Sequence, residues 1–231
     1  MLFRSLEDFQ IPLYLSHTVT DIQGRERVSA VTISQVDENR RPIPGSEKTF
    51  AVDTLLLSVG LLPENTLSEE AGIELHPRTR GPVVDEFLQT TIPGVFACGN
   101  VLHVHDLVDF VTAEGKEAGE AAARFLDADL PAGPHASVEA GEGISYCLPQ
   151  RIHTQALPDS LTLSFRVLSP QRNVTLAVEK DGKCIKTLRR RVMLPAEMER
   201  LTLQREDLAG LQESLRLRIM DFSQNGRLEE G

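Results

Sequence analysis

Residues 90–100, TTIPGVFACGN, and the Ala-rich stretch behind them constrain this chain more than any other feature. Val95-Phe96-Ala97 is a short apolar run that predicts a buried strand, fed by a turn at Ile92-Pro93-Gly94. Cys98 and Gly99 are small enough for something to lie against the backbone at the strand's end. Asn100 then offers one short side chain with both a donor and an acceptor. From about Asp106 the spacing turns helical, through Leu107, Val108, Phe110 and Val111 to Ala121, Ala122, Ala123 and Phe125. Strand, small residues, one polar group, helix N-terminus: that order suits a ligand at the carboxyl edge of a sheet.

The same stretch is similar to the second flavin-contacting motif of the pyridine nucleotide-disulfide oxidoreductases, the FAD enzymes that include thioredoxin reductase. That motif runs Thr, a short turn, Gly, two apolar residues, Ala, a small residue, Gly and an acidic residue. Thr91, Gly94, Val95, Phe96, Ala97 and Gly99 match it, and Asn100 stands where the family has Asp. The family's Asp bonds a ribityl hydroxyl of FAD, so the resemblance implies a weaker, uncharged contact from Asn100. Two upstream stretches agree. DTLLLSVGLLPEN (53–65) resembles the family's crossover strand, keeping Gly60, Pro63 and Asn65 with Glu64 inserted. GPVVDEFLQTT (81–91) resembles the next segment, with Gly81, Val84, Asp85 and Thr91 in place.

By that resemblance Gly60, Gly99, Asn100, Val101 and the backbone at Asp109, Phe110 and Val111 are the expected cofactor-binding residues; no catalytic residue is assigned. Amides at the start of the helix would face the pyrimidine edge of the isoalloxazine, and the helix N-terminus, worth about half a positive charge, would stabilise the reduced flavin. Asp109 departs from the family, and either caps the helix or makes the flavin harder to reduce. Gly115 and Gly119 leave a smooth stripe for close packing. Neither of the family's GxGxxG motifs occurs. Those glycines let a pyrophosphate approach a helix N-terminus. The resemblance therefore implies the C-terminal portion of a longer or split flavoprotein, partnered by a missing N-terminal half or a redox subunit and holding FAD poorly by itself.

Composition narrows the function classes. The 41% apolar content supports a core. No run of about 18 apolar residues exists to span a membrane. The N-terminus MLFRSLEDFQ lacks the pattern of a secretory signal, so a cytoplasmic protein is expected. Cys98, Cys147 and Cys184 form no CxxC and no zinc-type spacing, and are expected to be buried structural thiols. Without a dithiol, electrons would leave by another route. Residues 1–142 carry 10 Lys and Arg against 23 Asp and Glu, a net −13, whereas residues 143–231 carry 14 against 11, a net +3. Nucleic acid is disfavoured as a partner of the acidic part. His103, His105, Asp106 and Asp109 supply metal-ligand types, yet a loop positioning flavin or substrate is favoured and no metal is assigned.

In chain order, residues 1–9 read as a helix end, 11–16, 18–23 and 28–33 as strands, 37–46 as a loop, 48–52 as a strand and 54–59 as a strand buried on both faces. Residues 127–142 read as a linker. Beyond it, 144–148, 161–167, 174–179, 184–189, 200–203 and 215–220 look like short strands, and Lys180-Asp181-Gly182-Lys183 signals a hairpin. Arg189-Arg190-Arg191 reads as a solvated strand face rather than a docking site for an acidic partner. The expected fold is thus α/β, a partial Rossmann-like two-domain flavoprotein fold, followed by a small β-sandwich of immunoglobulin-like type. The expected division is 1–52 as the remnant of an NAD(P)H-binding domain, 53–130 as the end of an FAD-binding domain, 131–142 as linker and 143–231 as the sandwich. The expected role is part of an FAD-dependent NAD(P)H oxidoreductase; the competing one is a non-catalytic interaction module on a flavoprotein-fold remnant.

Overall fold

The computed structural model describes residues 4–220, and the chain divides into two compact units, 1–60 and 61–231. In the first, helix α1 (Arg4–Asp8) precedes an antiparallel meander of β1 (His17–Gln23), β2 (Ala30–Gln35) and β3 (Lys48–Ala51). Residues 37–46 make the predicted loop between β2 and β3, closed by Asp37 Oδ1 accepting the Asn39 and Arg41 amides at 2.9 and 2.8 Å. Residues 11–16 form no strand. Nor do residues 54–59: among the described residues no strand lies beside them, and Leu56, Leu57 and Val59 are exposed. An apolar run becomes a buried strand only when both of its edges find partners.

The second unit begins with α2 (Thr66–Glu70), a 3-10 turn at Gly99–Val101 and the long helix α3 (Val108–Leu126). It continues through β4 (His135–Ala140), β5 (Ile144–Leu148), β6 (Arg151–His153), β7 (Ser160–Val167), β8 (Gln171–Lys180), β9 (Lys183–Met193), β10 (Glu199–Gln204), α4 (Arg205–Leu208) and β11 (Ser214–Met220). A three-stranded sheet, β10-β7-β5, and a five-stranded sheet, β6-β4-β11-β8-β9, make the sandwich. All pairs are antiparallel except β4 with β11. Each of the six predicted strands forms, and the hairpin at 180–183 is a two-residue turn with Asp181 and Gly182 both at positive φ, 47° and 79°. Strand β7 shows why the pattern was readable: Leu161, Leu163, Phe165 and Val167 alternate inward into one core with Leu176, Leu203, Leu215 and Leu217. The expected fold class holds: mixed α/β, mostly sheet, with a β C-terminal part interrupted by the one-turn helix α4.

Two strands escaped sequence reading. Strand β4 lies inside the stretch taken as linker, because His135-Ala136-Ser137-Val138 alternates too briefly to outweigh its Pro and Gly neighbours. Strand β6 has three residues. Residues 95–97 also differ from expectation: Phe96 makes only an isolated bridge to Gln89. Their backbone groups are used locally, in Thr90 N–H to Val95 O at 2.8 Å and Ala97 N–H to Leu88 O at 3.0 Å, so the stretch closes a tight loop with 88–90. That loop packs on the sandwich through Val84, Ala97 and Leu102 against Tyr146 and Leu148.

Candidate functional site

The motif residues converge on the turn at 98–102. Gly99 sits at φ +71°, a conformation that glycine adopts without a Cβ penalty, and is buried. Asn65 explains how the upstream motif reaches it: its Nδ2 donates to both Arg80 O and Val101 O at 2.8 Å. Gly81 lies so close to the same turn that a Cβ there would stand 1.8 Å from Leu102 O. Asn65, Gly81 and the turn at Gly99 are thus one packed constellation although 36 residues separate Asn65 from Val101. A shallow groove of about 330 Å³ opens beside it, lined in part by Ile73, Pro82, Val95, Phe96 and Cys98.

The residues expected to face a flavin are dispersed. Asn100 is exposed, and its Oδ1 accepts the His105 amide at 3.1 Å, fastening the 100–105 loop. Val101 lends its carbonyl to Asn65. Val111 lies against Gly99, 3.4 Å from where a Cβ would stand. Phe110 is covered by the Arg200 guanidinium, 3.8 Å from the ring centroid. Asp109 is exposed and does not cap α3: the N-cap is Leu107, with no side-chain cap bond, and Leu107 O takes the Phe110 amide at 3.2 Å, which leaves the Val108 and Asp109 amides as the uncapped ones. Gly60 ends the first unit, exposed, with nothing within contact of a Cβ position. Gly115 and Gly119 are open in the same way, so among the described residues nothing packs on the stripe they form.

Beneath Gly99 lies an arrangement that the sequence hid. Glu114, on α3, accepts the Gly99 amide and binds His103 Nε2 and His105 Nε2, each at 3.0 Å. Burial works to raise the Glu114 carboxyl's pKa, but the two imidazoles and the Gly99 amide together outweigh it and hold it below the usual range. Burial likewise pushes His103 down, against the pull of Glu114, so its neutral form persists. The grouping of His103 and His105 with Asp106 and Asp109, disfavoured from sequence as a metal cluster, does not form. Asp106 turns instead to the sandwich, pairing with Arg166 and accepting the Met198 amide at 2.6 Å. Arg166 further donates to Val104 O and Tyr146 Oη at 3.1 Å and to Pro195 O at 3.2 Å. Nothing in sequence spacing pointed to Glu114, which is one acid among several on a helix.

The thiols split three ways: Cys147 is buried, its pKa pushed up to about 12 by desolvation, Cys98 is half-buried and Cys184 is exposed. The expectation that all three are buried fails at Cys184, where β9 turns that position outward. Among the described residues no helix is long and apolar enough to cross a membrane.

Comparison with known proteins places these observations. The family model described as pyridine nucleotide-disulphide oxidoreductase matches residues 1–123. The glutamate synthase [NADPH] small chain of Halomonas elongata is 32% identical over 117 residues, covering 45% of this chain and 25% of that protein. A ferredoxin–NADP reductase of Leuconostoc mesenteroides is 31% identical over 112 residues, 46% of this chain and 31% of the relative. An NADH oxidase of Streptococcus pneumoniae is 34% identical over 106 residues, 46% of this chain and 20% of the relative. Among solved structures, a thioredoxin reductase from Gloeobacter violaceus aligns over 51% of this chain and 35% of that one, at 23% identity and a TM-score of 0.28. The chain therefore spans between 20% and 31% of the length of these three curated relatives.

Proposed function

The chain belongs to the pyridine nucleotide-disulphide oxidoreductase family, and from that premise we propose that it is the C-terminal portion of an FAD-dependent NAD(P)H oxidoreductase, supplying one wall of the flavin pocket. The observation that carries this reading is the Asn65 amide joining Arg80 and Val101 beside the positive-φ Gly99, since it builds three separate motifs into one turn at the foot of α3. The residues fit one part of the cofactor and not another. The uncapped start of α3, with Leu107 and Val108 exposed, suits a neutral or anionic pyrimidine edge. Asn100 Nδ2 remains as a donor toward a sugar hydroxyl while Oδ1 holds His105. No residue set here suits the ADP half, whose pyrophosphate needs a glycine turn this chain lacks.

When bound, the flavin supplies the redox step, passing electrons from NAD(P)H to a partner protein or small acceptor. The chain's own contribution is positional. Val111 packs against Gly99, Glu114 holds the Gly99 amide in place, and Arg166 with Asp106 fastens the loop before α3 to the sandwich. The groove beside Phe96 and the open stripe at Gly115 and Gly119 are the surfaces on which an N-terminal half or redox subunit would seat.

A second reading is favoured by a specific observation: several groups that would meet flavin are already engaged within the chain, the Gly99 amide by Glu114, Asn100 Oδ1 by His105 and the Phe110 ring by Arg200. Under it the chain is a non-catalytic interaction module. Purification of the protein with its companions from its own cells, followed by visible spectra before and after NAD(P)H, separates the two. Flavin absorption bleached by NAD(P)H is the expected result; a colourless assembly that does not consume NAD(P)H overturns the enzyme reading in favour of the module.

A further inference from the structure

We propose that Asp85, His135 and His153 form a binding site for a divalent first-row cation of the zinc class, stapling the motif-bearing segment to the β-sandwich. The site is separate from the turn at Gly99 and stands whether or not the chain handles flavin. His135 opens β4, His153 closes β6, and the two are directly paired in antiparallel register, so their rings share one face with centroids 3.9 Å apart. Asp85 arrives from the motif segment. One nitrogen of each imidazole and one Asp85 carboxylate oxygen all lie within 4.8 Å of one another.

Each group is prepared in a way that a plain hydrogen-bond cluster does not need. Asp85 Oδ1 is held by the Phe87 and Gln89 amides at 2.9 and 3.0 Å, which leaves Oδ2 turned toward His135. Oδ2 and His135 Nε2 are 4.0 Å apart, too far for a hydrogen bond, and that Nε2 is buried with no partner. Two bonds of about 2.0–2.1 Å set donors roughly 3.4 Å apart at the tetrahedral angle, so a small inward movement accommodates a cation. His153 Nδ1 is bound by Glu86 at 3.2 Å, and Glu86 also accepts the His153 amide. That carboxylate orients the ring and leaves Nε2 as the coordinating atom, the usual outer-shell arrangement for a metal-bound imidazole.

Charge agrees. Asp85 and Glu86 side chains are both 2% exposed, so two carboxylates are buried beside the two imidazoles. Buried charge of that kind is stabilised by a paired ion. Two imidazole nitrogens with one carboxylate oxygen favour zinc-like cations over calcium or magnesium, which demand more oxygen ligands. In the other His and carboxylate cluster, His103, His105 and Glu114, both Nδ1 atoms are buried without a partner but each Nε2 is bonded to Glu114, and a cation held between those three groups would have to displace both bonds.

The test uses the full chain stripped of metal with a chelator, then titrated with zinc and, for spectroscopy, with cobalt. One equivalent is expected to bind, raise the melting temperature and give a cobalt visible spectrum of low-coordinate N/O ligation. His135→Gln, at a partly exposed position, is expected to keep the fold by circular dichroism while losing the spectrum and the melting shift. Glu86→Gln, a positioning change, is expected to weaken binding by roughly 10- to 100-fold while keeping a ligand-field spectrum. His103→Gln is expected to leave binding intact. Folded wild-type chain that takes up no zinc, or binding that survives in His135→Gln or vanishes in His103→Gln, would overturn the proposal.

Discussion

The β-sandwich and the motif segment before it are stabilised by different means, although they belong to one compact unit. The sandwich holds a continuous apolar core of its own, with Phe165, Leu163, Leu176, Leu203, Leu215 and Leu217 fully buried. The motif segment contributes Val84, Ala97 and Leu102, with the partly buried Leu88, to a smaller cluster, and completes it with Tyr146 and Leu148 of the sandwich. What secures it otherwise is side chain bonded to backbone: Asn65 to Arg80 and Val101, Asp85 to Phe87 and Gln89, Gln150 to Val84, Glu114 to Gly99. A segment assembled this way follows its neighbours; a segment with its own core does not. The comparison teaches that the sandwich acts as the platform on which the motif turn is shaped.

The strongest challenge to that contrast is Phe165→Ala. Emptying the centre of the core costs about 3–5 kcal/mol, and urea unfolding followed by fluorescence and circular dichroism should show motif segment and sandwich lost together. If the motif segment survived the loss of the sandwich, the platform idea would be wrong. Arg166→Ala strikes the junction itself, leaving Asp106 with the Met198 amide alone and removing the donor to the Val104 and Pro195 carbonyls. Its expected cost is about 1–3 kcal/mol, with amide exchange accelerated first in residues 103–107. Asn65→Ala sharpens the comparison from the other side. It leaves two carbonyls without a donor, at about 1–3 kcal/mol, and should loosen the 98–102 turn while sandwich exchange rates stay unchanged.

A pH dependence is expected in the same segment. His103 is held below its ordinary value of 6.5, so as pH falls through that value the unfolded chain takes up a proton that the folded one refuses, and stability declines. Glu114 is held below its ordinary 4.5, so its contribution is present above that pH and is lost as pH falls toward its lower folded value. Both act in the acid direction. Urea midpoints across this range should drop in two stages, and His103→Gln should shrink the upper stage, to which His76 and His135, also held down by burial, contribute; an upper stage unchanged in His103→Gln would count against the buried neutral imidazole. The smallest effect belongs to the surface. Lys116 and Glu120 on α3 stand 3.7 Å apart and largely solvated, and Lys116→Ala should move stability by no more than about 0.5 kcal/mol.

How much was legible followed from the range of each interaction. Periodicity exposed β5, β7 to β11 and the body of α3, because alternation and helical spacing are local consequences of one-sided burial. The Asp181-Gly182 turn was equally local. The motif positions Gly81 and Gly99 were also visible in sequence, and both prove to be places where a Cβ or a right-handed conformation is excluded by backbone geometry. Where an outcome depends on distant partners, reading failed. Residues 54–59 and 95–97 carry the composition of buried strands, yet the former lie open and the latter close a loop, since strand formation depends on a neighbour that composition does not encode.

What the amino-acid sequence determined unaided is therefore the family, through three motifs in order, together with the sandwich strands and the absence of a dithiol. Tertiary structure alone decided that Glu114 gathers His103 and His105, that Asp106 leaves them for Arg166, and that β4 and β6 bring His135 and His153 face to face with Asp85. Side chains separated by tens of residues meet only after the core has chosen a register. The chemistry of a buried cluster thus depends on packing that no window of neighbouring residues contains.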